Sequence, residues 1–246
     1  MIFKRNKDDV DEAGPDPMAE DLDPQGEAEV AAGEDLAGAL AALDRTEGPF
    51  DISEVEEPDA MAAERIDFGA IQVPLIDGLE IRLELDQETN DPLALTLVRG
   101  QGAVQVRAFS GPRSGGGWET VLGDLRTEIT EGGGDVDESV GPFGVEVAAA
   151  ASGVDDQGNQ VVQPIRFVGV DGPRWLLQGV FFGEGTDNER AGALEEVFRS
   201  LVVVRGDTAM PVGAMLPLTV PEQVPGQVEE TSAQPSDAPP SDDDGS

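Results

Sequence analysis

Residues 79–86 read Leu-Glu-Ile-Arg-Leu-Glu-Leu-Asp, a strict alternation of apolar and charged side chains. Successive side chains of a β-strand point to opposite faces. Leu79, Ile81, Leu83 and Leu85 therefore share one face, and Glu80, Arg82, Glu84 and Asp86 share the other. A helical period would mix the two sets. The run predicts a strand with one dry and one wet face, the pattern of an antiparallel sheet. After a turn at 86–92, the stretches "LALTLVRG" and "AVQVRAF" are separated only by Gln101-Gly102, and they predict a hairpin.

The period then changes. Trp118, Val121, Leu122, Leu125 and Ile129 recur at helical spacing and form one apolar stripe. Three further strand-like runs follow at 144–151, 163–172 and 174–183. A second helix is expected from near Asp187, with Leu194, Val197, Phe198 and Leu201 on one face. "LVVVRG" at its end either continues it or forms a last short strand. The fold class expected is α+β: a mostly antiparallel sheet of about six or seven strands covered by two main helices.

This pattern is confined to the middle of the 246 residues. Residues 1–60 carry 19 acidic and 4 basic side chains and few large apolar ones. Such a segment buries too little surface to offset its ordering entropy, so a disordered acidic arm is expected. Within it, "EDLAGALAALDR" places Leu36, Leu40 and Leu43 on one face of a short helix at 34–45, which is either plain helix propensity or a docking segment. Residues 222–246 are rich in Pro, Ser and Asp without periodicity and are expected to form a second disordered arm. The domain boundaries expected are thus 61 and 221.

The formal net charge is −36, which opposes association with nucleic acid or an anionic membrane. No apolar run approaches the length of a membrane span, and "MIFKRNKDDVDE" has no apolar stretch behind its basic start. A cytoplasmic location is the expectation. His, Cys and Tyr are absent, and the only lysines are Lys4 and Lys7. Histidine- or cysteine-based triads, the usual zinc ligands, Schiff-base chemistry and a nucleotide-binding lysine loop are excluded from the folded part. An enzyme would have to work with Asp, Glu, Ser and Arg. We expect a non-enzymatic protein without cofactor or metal.

Several stretches resemble an actinobacterial family of unknown function: "GPRSGGGW" (111–118), "RFVGVDGPRW" (166–175), "LEEVFRSLVVVRG" (194–206) and, upstream, "GPFDISEV" (48–55). The resemblance covers about residues 48–221 and departs at Gly111, where alanine is expected. Members of that family are often encoded near a dUTPase. The resemblance implies no assigned activity or site residues. The order of elements is also similar to the Mog1/PsbP type, a likeness of fold alone.

The loop "SGPRSGGGW" joins a strand to a helix. Glycine amides at a helix start, a guanidinium and a hydroxyl together suit an anion. Arg113, Ser114, Gly115, Gly116 and Gly117 are therefore candidates to bind an anion or a partner. The structural alternative is a tight helix entry, with Arg113 paired to a carboxylate. "DGPRW" (171–175) predicts a hairpin turn with Arg174 at its tip. "GPR" recurs at 111–113 and 172–174, so Arg113 and Arg174 would share a surface if the two halves packed as a pair. Trp118 and Trp175 are expected in the core. Asp135, Asp137, Ser139 and Glu146 fall at calcium-loop spacing, but Val140 stands where that loop needs glycine, so a solvated acidic loop at 135–146 is expected and no metal site. Two functions compete: recognition of an unknown protein partner through the α+β domain, and binding of a small anion or nucleotide metabolite at loop 111–117.

Overall fold

The computed structural model describes residues 45–55, 65–134, 136–154, 160–187, 189–221 and 228–232. Twelve strands and two α-helices are found among them: β1 Phe50–Asp51, β2 Arg65–Asp67, β3 Ile71–Pro74, β4 Glu80–Leu85, β5 Pro92–Arg99, β6 Gly102–Ser110, α1 Gly117–Glu131, β7 Asp137–Gly141, β8 Gly144–Val154, β9 Gln160–Gly172, β10 Trp175–Gly183, α2 Gly192–Arg199, β11 Val202–Val203 and β12 Val228–Ser232.

The main sheet runs β4-β5-β6-β10-β9-β8-β7, all antiparallel, and β12 adds to the free edge of β4 in parallel. A second sheet has the order β1-β11-β3-β2. The alternation in β4 does what its pattern requires: Ile81, Leu83 and Leu85 are buried, and Glu80, Arg82 and Glu84 are half-exposed.

The helices lie on opposite faces of the main sheet. Leu176 packs with Trp118 and Leu122 of α1, together with Val145 and Val147. Its neighbour Leu177 points the other way, into the larger core with Leu194, Val197 and Phe198 of α2 and the apolar side chains of the small sheet. Phe198 stacks edge-on against Phe143, with ring centroids 4.9 Å apart. Short β11, not a longer helix, is the outcome for "LVVVRG", because Val202 and Val203 pair with Gln72 and Ile71 of β3.

Three features differ from the sequence reading. Residues 137–146 form the β7–β8 hairpin instead of an acidic loop, and Glu146 is buried in it. The fold takes in residues N-terminal of 61: Phe50 and Asp51 pair in parallel with Val202 and Val203, and Asp51 is buried. The physical reason is that Asp51 caps the short 3-10 turn Ile52–Glu54 and accepts a 2.7 Å hydrogen bond from Trp175 Nε1. Finally, Val228–Ser232 pairs with β4 inside the stretch expected to lack structure. The helix anticipated at 34–45 lies outside the described residues.

Candidate functional site

The loop after β6 is shaped by what surrounds it. The Gly111 amide donates to the Arg174 carbonyl at 2.9 Å. A Cβ at position 111 would stand 2.8–2.9 Å from the Trp175 backbone, so glycine is required at this close approach. Gly115 and Gly116 then turn the chain into α1 with φ of 74° and 82°, values an L side chain rarely adopts. Gly116 is the N-cap residue and has no side chain to satisfy the first helical amides.

Asp171, at the end of β9, does so instead. Its Oδ1 accepts from the Gly117 amide at 3.0 Å and its Oδ2 from the Trp118 amide at 3.2 Å. The helix dipole and free amides that favour an anion at α1 are thus engaged by a carboxylate of the chain itself. Behind it, Trp118 lies over Gly169 and donates from Nε1 to the Val145 carbonyl at 2.7 Å. Both tryptophans are buried.

The two "GPR" segments do meet. β6 and β10 pair Ser110 with Trp175, which brings the loop at 111–116 against the turn at 172–175. Arg174 sits at the turn tip with φ 66°, a conformation usually left to Gly or Asn. Arg113, Ser114 and Arg174 are exposed. Arg205, which the sequence reading did not single out, is buried against the Arg174 turn. Its Nε donates to the Arg174 carbonyl at 3.2 Å, one terminal nitrogen to the Gly206 and Thr208 carbonyls, and the other to Ser110 Oγ at 3.3 Å. All these acceptors are neutral.

A cleft of about 400 Å³ opens beside this corner, between α1 and the β6–β10 strands. Phe109, Val121, Leu125, Leu176 and Val212 give it an apolar lining, and Gln178, Asp124 and Glu128 add polar groups. Asp124 and Glu128 are one helical turn apart on α1 and are exposed. Ser110, Gly111, Pro112 and Gly117 form the end nearest the arginines.

A different cluster occupies the α2 side. Glu146 and Arg166 are buried, and Arg166 Nε lies 3.4 Å from Glu146 Oε2. A terminal nitrogen of Arg166 donates to Glu195 of α2 at 2.6 Å, and the guanidinium stacks on Phe181. Neither Glu146 oxygen accepts a hydrogen bond among the described residues. Burial pushes the Glu146 carboxyl up to about 7; the Arg166 charge opposes this, and Glu195 adds to it. Among the described residues, no three potential metal ligands come together. No helix there is long and apolar enough to cross a membrane.

Glu146 falls at calcium-loop spacing and Asp171 in a predicted turn, but nothing in their local sequence shows that one is buried and the other caps a helix 54 residues away. The signal for Asp171 was indirect: a helix start with glycine at its N-cap needs a foreign acceptor.

A family profile matches residues 48–227, which takes in every strand but β12, both helices and the arginine corner. The chain belongs to the DUF3710 family, proteins of unknown function. The DUF3710 match begins at Gly48, in agreement with the structural role of Asp51. A crystal structure from Bacteroides thetaiotaomicron is similar at 15% identity and a TM-score of 0.32, over 58% of this chain and 48% of the other, so the chain spans about half of that protein. No curated protein matches.

Proposed function

We propose that this DUF3710 domain is a binding module that receives a segment of a protein partner in the cleft between α1 and the β6–β10 strands. The observation that carries this reading is the cleft's partly open apolar lining of Phe109, Leu125 and Leu176, the kind of concavity that anchors a partner side chain. Exposed Val212 extends the apolar surface at the rim. Asp124 and Glu128 favour a partner segment with a basic residue beside its apolar anchor. The acidic character of the whole chain favours the same choice and suits a cytoplasmic protein that does not bind nucleic acid.

The competing reading, a small anion or nucleotide metabolite held by Gly115–Gly117, requires that ligand to displace Asp171 from two amides. Arg113 and Arg174 alone would have to supply its recognition.

Panning a random peptide library against the domain tests the proposal. Enriched peptides should carry a large apolar residue next to Lys or Arg, and Val212→Glu, at an exposed position on the cleft rim, should abolish their binding with the melting temperature retained. Absence of enrichment, or binding indifferent to Val212→Glu, would refute it.

A further inference from the structure

We propose that the acidic segment 233–246 of this chain docks on the corner formed by Arg113, Arg174 and Arg205. Acidic residues outnumber basic ones 51 to 15, so an arginine in this chain has carboxylates to choose from. Six of the twelve described arginines take one: Arg45 pairs with Glu54, Arg82 with Glu80, Arg126 with Glu138, Arg166 with Glu146 and Glu195, Arg190 with Glu184 and Asp187, and Arg199 with Glu47. Among the described residues Arg99, Arg107, Arg113, Arg174 and Arg205 form no ion pair, and the last three lie on chain segments bonded to one another. The Arg205 guanidinium and the Gly111 amide both bond the Arg174 carbonyl, and Arg113 lies two residues past Gly111.

Of the neighbouring carboxylates, Asp171 and Asp51 are committed elsewhere, and Asp207 is exposed beside Arg205 without an ion pair to it. Asp171 holds the α1 amides, and Asp51 holds Trp175 Nε1 and Ser53. A buried guanidinium whose acceptors are all neutral leaves its full charge uncompensated. Two exposed arginines, Arg113 and Arg174, lie on the adjoining loop and turn and add positive charge to this corner.

The position of the tail selects it as occupant. Ser232 pairs with Leu85, which pairs with Pro92, at the same end of the sheet as Ser110 and Trp175. Three strand spacings separate β12 from β6, about 14 Å. Asp237 is five residues beyond Ser232 and so reaches about 17 Å, and Asp242, Asp243 and Asp244 reach farther. Segment 233–246 contains no basic residue. A tether of this length gives a high effective concentration, so weak, salt-sensitive pairs are enough to populate the contact. This inference is independent of what fills the cleft.

The chain contains no cysteine, so Ser241→Cys gives a single attachment point for a nitroxide. In dilute full-length protein labelled with nitrogen-15, the amide signals of Gly111, Arg113–Gly117, Arg174 and Trp175 should lose intensity. The loss should disappear in Arg113→Gln/Arg174→Gln and in about 0.5 M salt. Undiminished signals at these residues, loss centred on another surface, or loss seen only between labelled and unlabelled molecules in a mixture would each overturn the proposal. Any of these outcomes would leave the peptide-library test unaffected.

Discussion

Glu146→Gln should make the protein more stable at pH 8 and change it little at pH 4.5. Glu146 is 1% exposed, and its carboxyl is pushed from an ordinary 4.5 to about 7. Between those values the folded state holds a proton that the unfolded chain has released. Stability from this group is therefore fully present below 4.5 and is lost as pH rises through about 7. The difference in pKa corresponds to about 3 kcal/mol at about 1.4 kcal/mol per unit. Glutamine keeps the shape of the protonated acid but cannot ionise. The gain of the variant over wild type should grow from near zero at pH 4.5 to about 3 kcal/mol at pH 8. Glu54, Asp86 and Glu138 are held below their ordinary values, so their contributions are lost only as pH falls further and do not overlap this window. General charge repulsion also weakens on acidification, but both proteins share it and it cancels in the difference. Urea unfolding followed by fluorescence of Trp118 and Trp175 across this pH range measures the effect. A difference that stays constant within about 0.5 kcal/mol from pH 4.5 to 8 would refute the reasoning and show that the carboxyl is solvated or fully offset by Arg166.

Other outcomes follow from single contacts. Asp171→Ala should cost about 1–2 kcal/mol, as for loss of an N-cap, and should speed amide exchange at the start of α1. Arg113→Ala should leave the melting curve nearly unchanged, whereas Gly116→Val should lower stability by about 1–2 kcal/mol because its φ is 82°. Phe198→Ala, at a fully buried site, should cost about 3–5 kcal/mol in denaturant titration, and Leu125→Ala, on the wall of the cleft, markedly less. Asp51→Ala should cost about 1–3 kcal/mol by stranding the Trp175 indole donor, and a chain beginning at residue 61 should show a similar or larger loss.

The long elements were legible because their periods are long. The alternation of β4 and the Trp118–Ile129 stripe each repeat often enough to choose strand or helix without tertiary information. The two-residue strands β1 and β11 contain no period at all and exist only because they pair with each other and with β3. β7 reads as a solvated acidic run because much of it is solvated: three of its five residues are exposed on a sheet edge, and Arg126 of α1 holds Glu138 there. Arg205 was hidden for another reason. Its burial depends on carbonyls from Arg174 and Thr208 and a hydroxyl from Ser110, groups that every sequence possesses and that only folding gathers.

The loop at 111–117 shows how the same physics serves two ends. Glycines leading into a helix create unsatisfied amides and a positive dipole, and any nearby anion is drawn to them. From the sequence, the loop alone states that demand and does not state its supplier. In this fold the supplier is Asp171, delivered by the same β9–β10 turn that carries Arg174. The demand met internally is that of the amides, whose positive character is partial. The demand left unmet is that of the arginines, each a full charge without a carboxylate among the described residues. In the docking proposed for the acidic segment, the carboxylates would be met by Arg113 and Arg174, on two chain segments held together by the Gly111 and Arg205 bonds to one carbonyl. A perturbation that loosens that carbonyl, such as Arg205→Met, should let the two segments move apart and weaken the proposed docking without touching either exposed arginine.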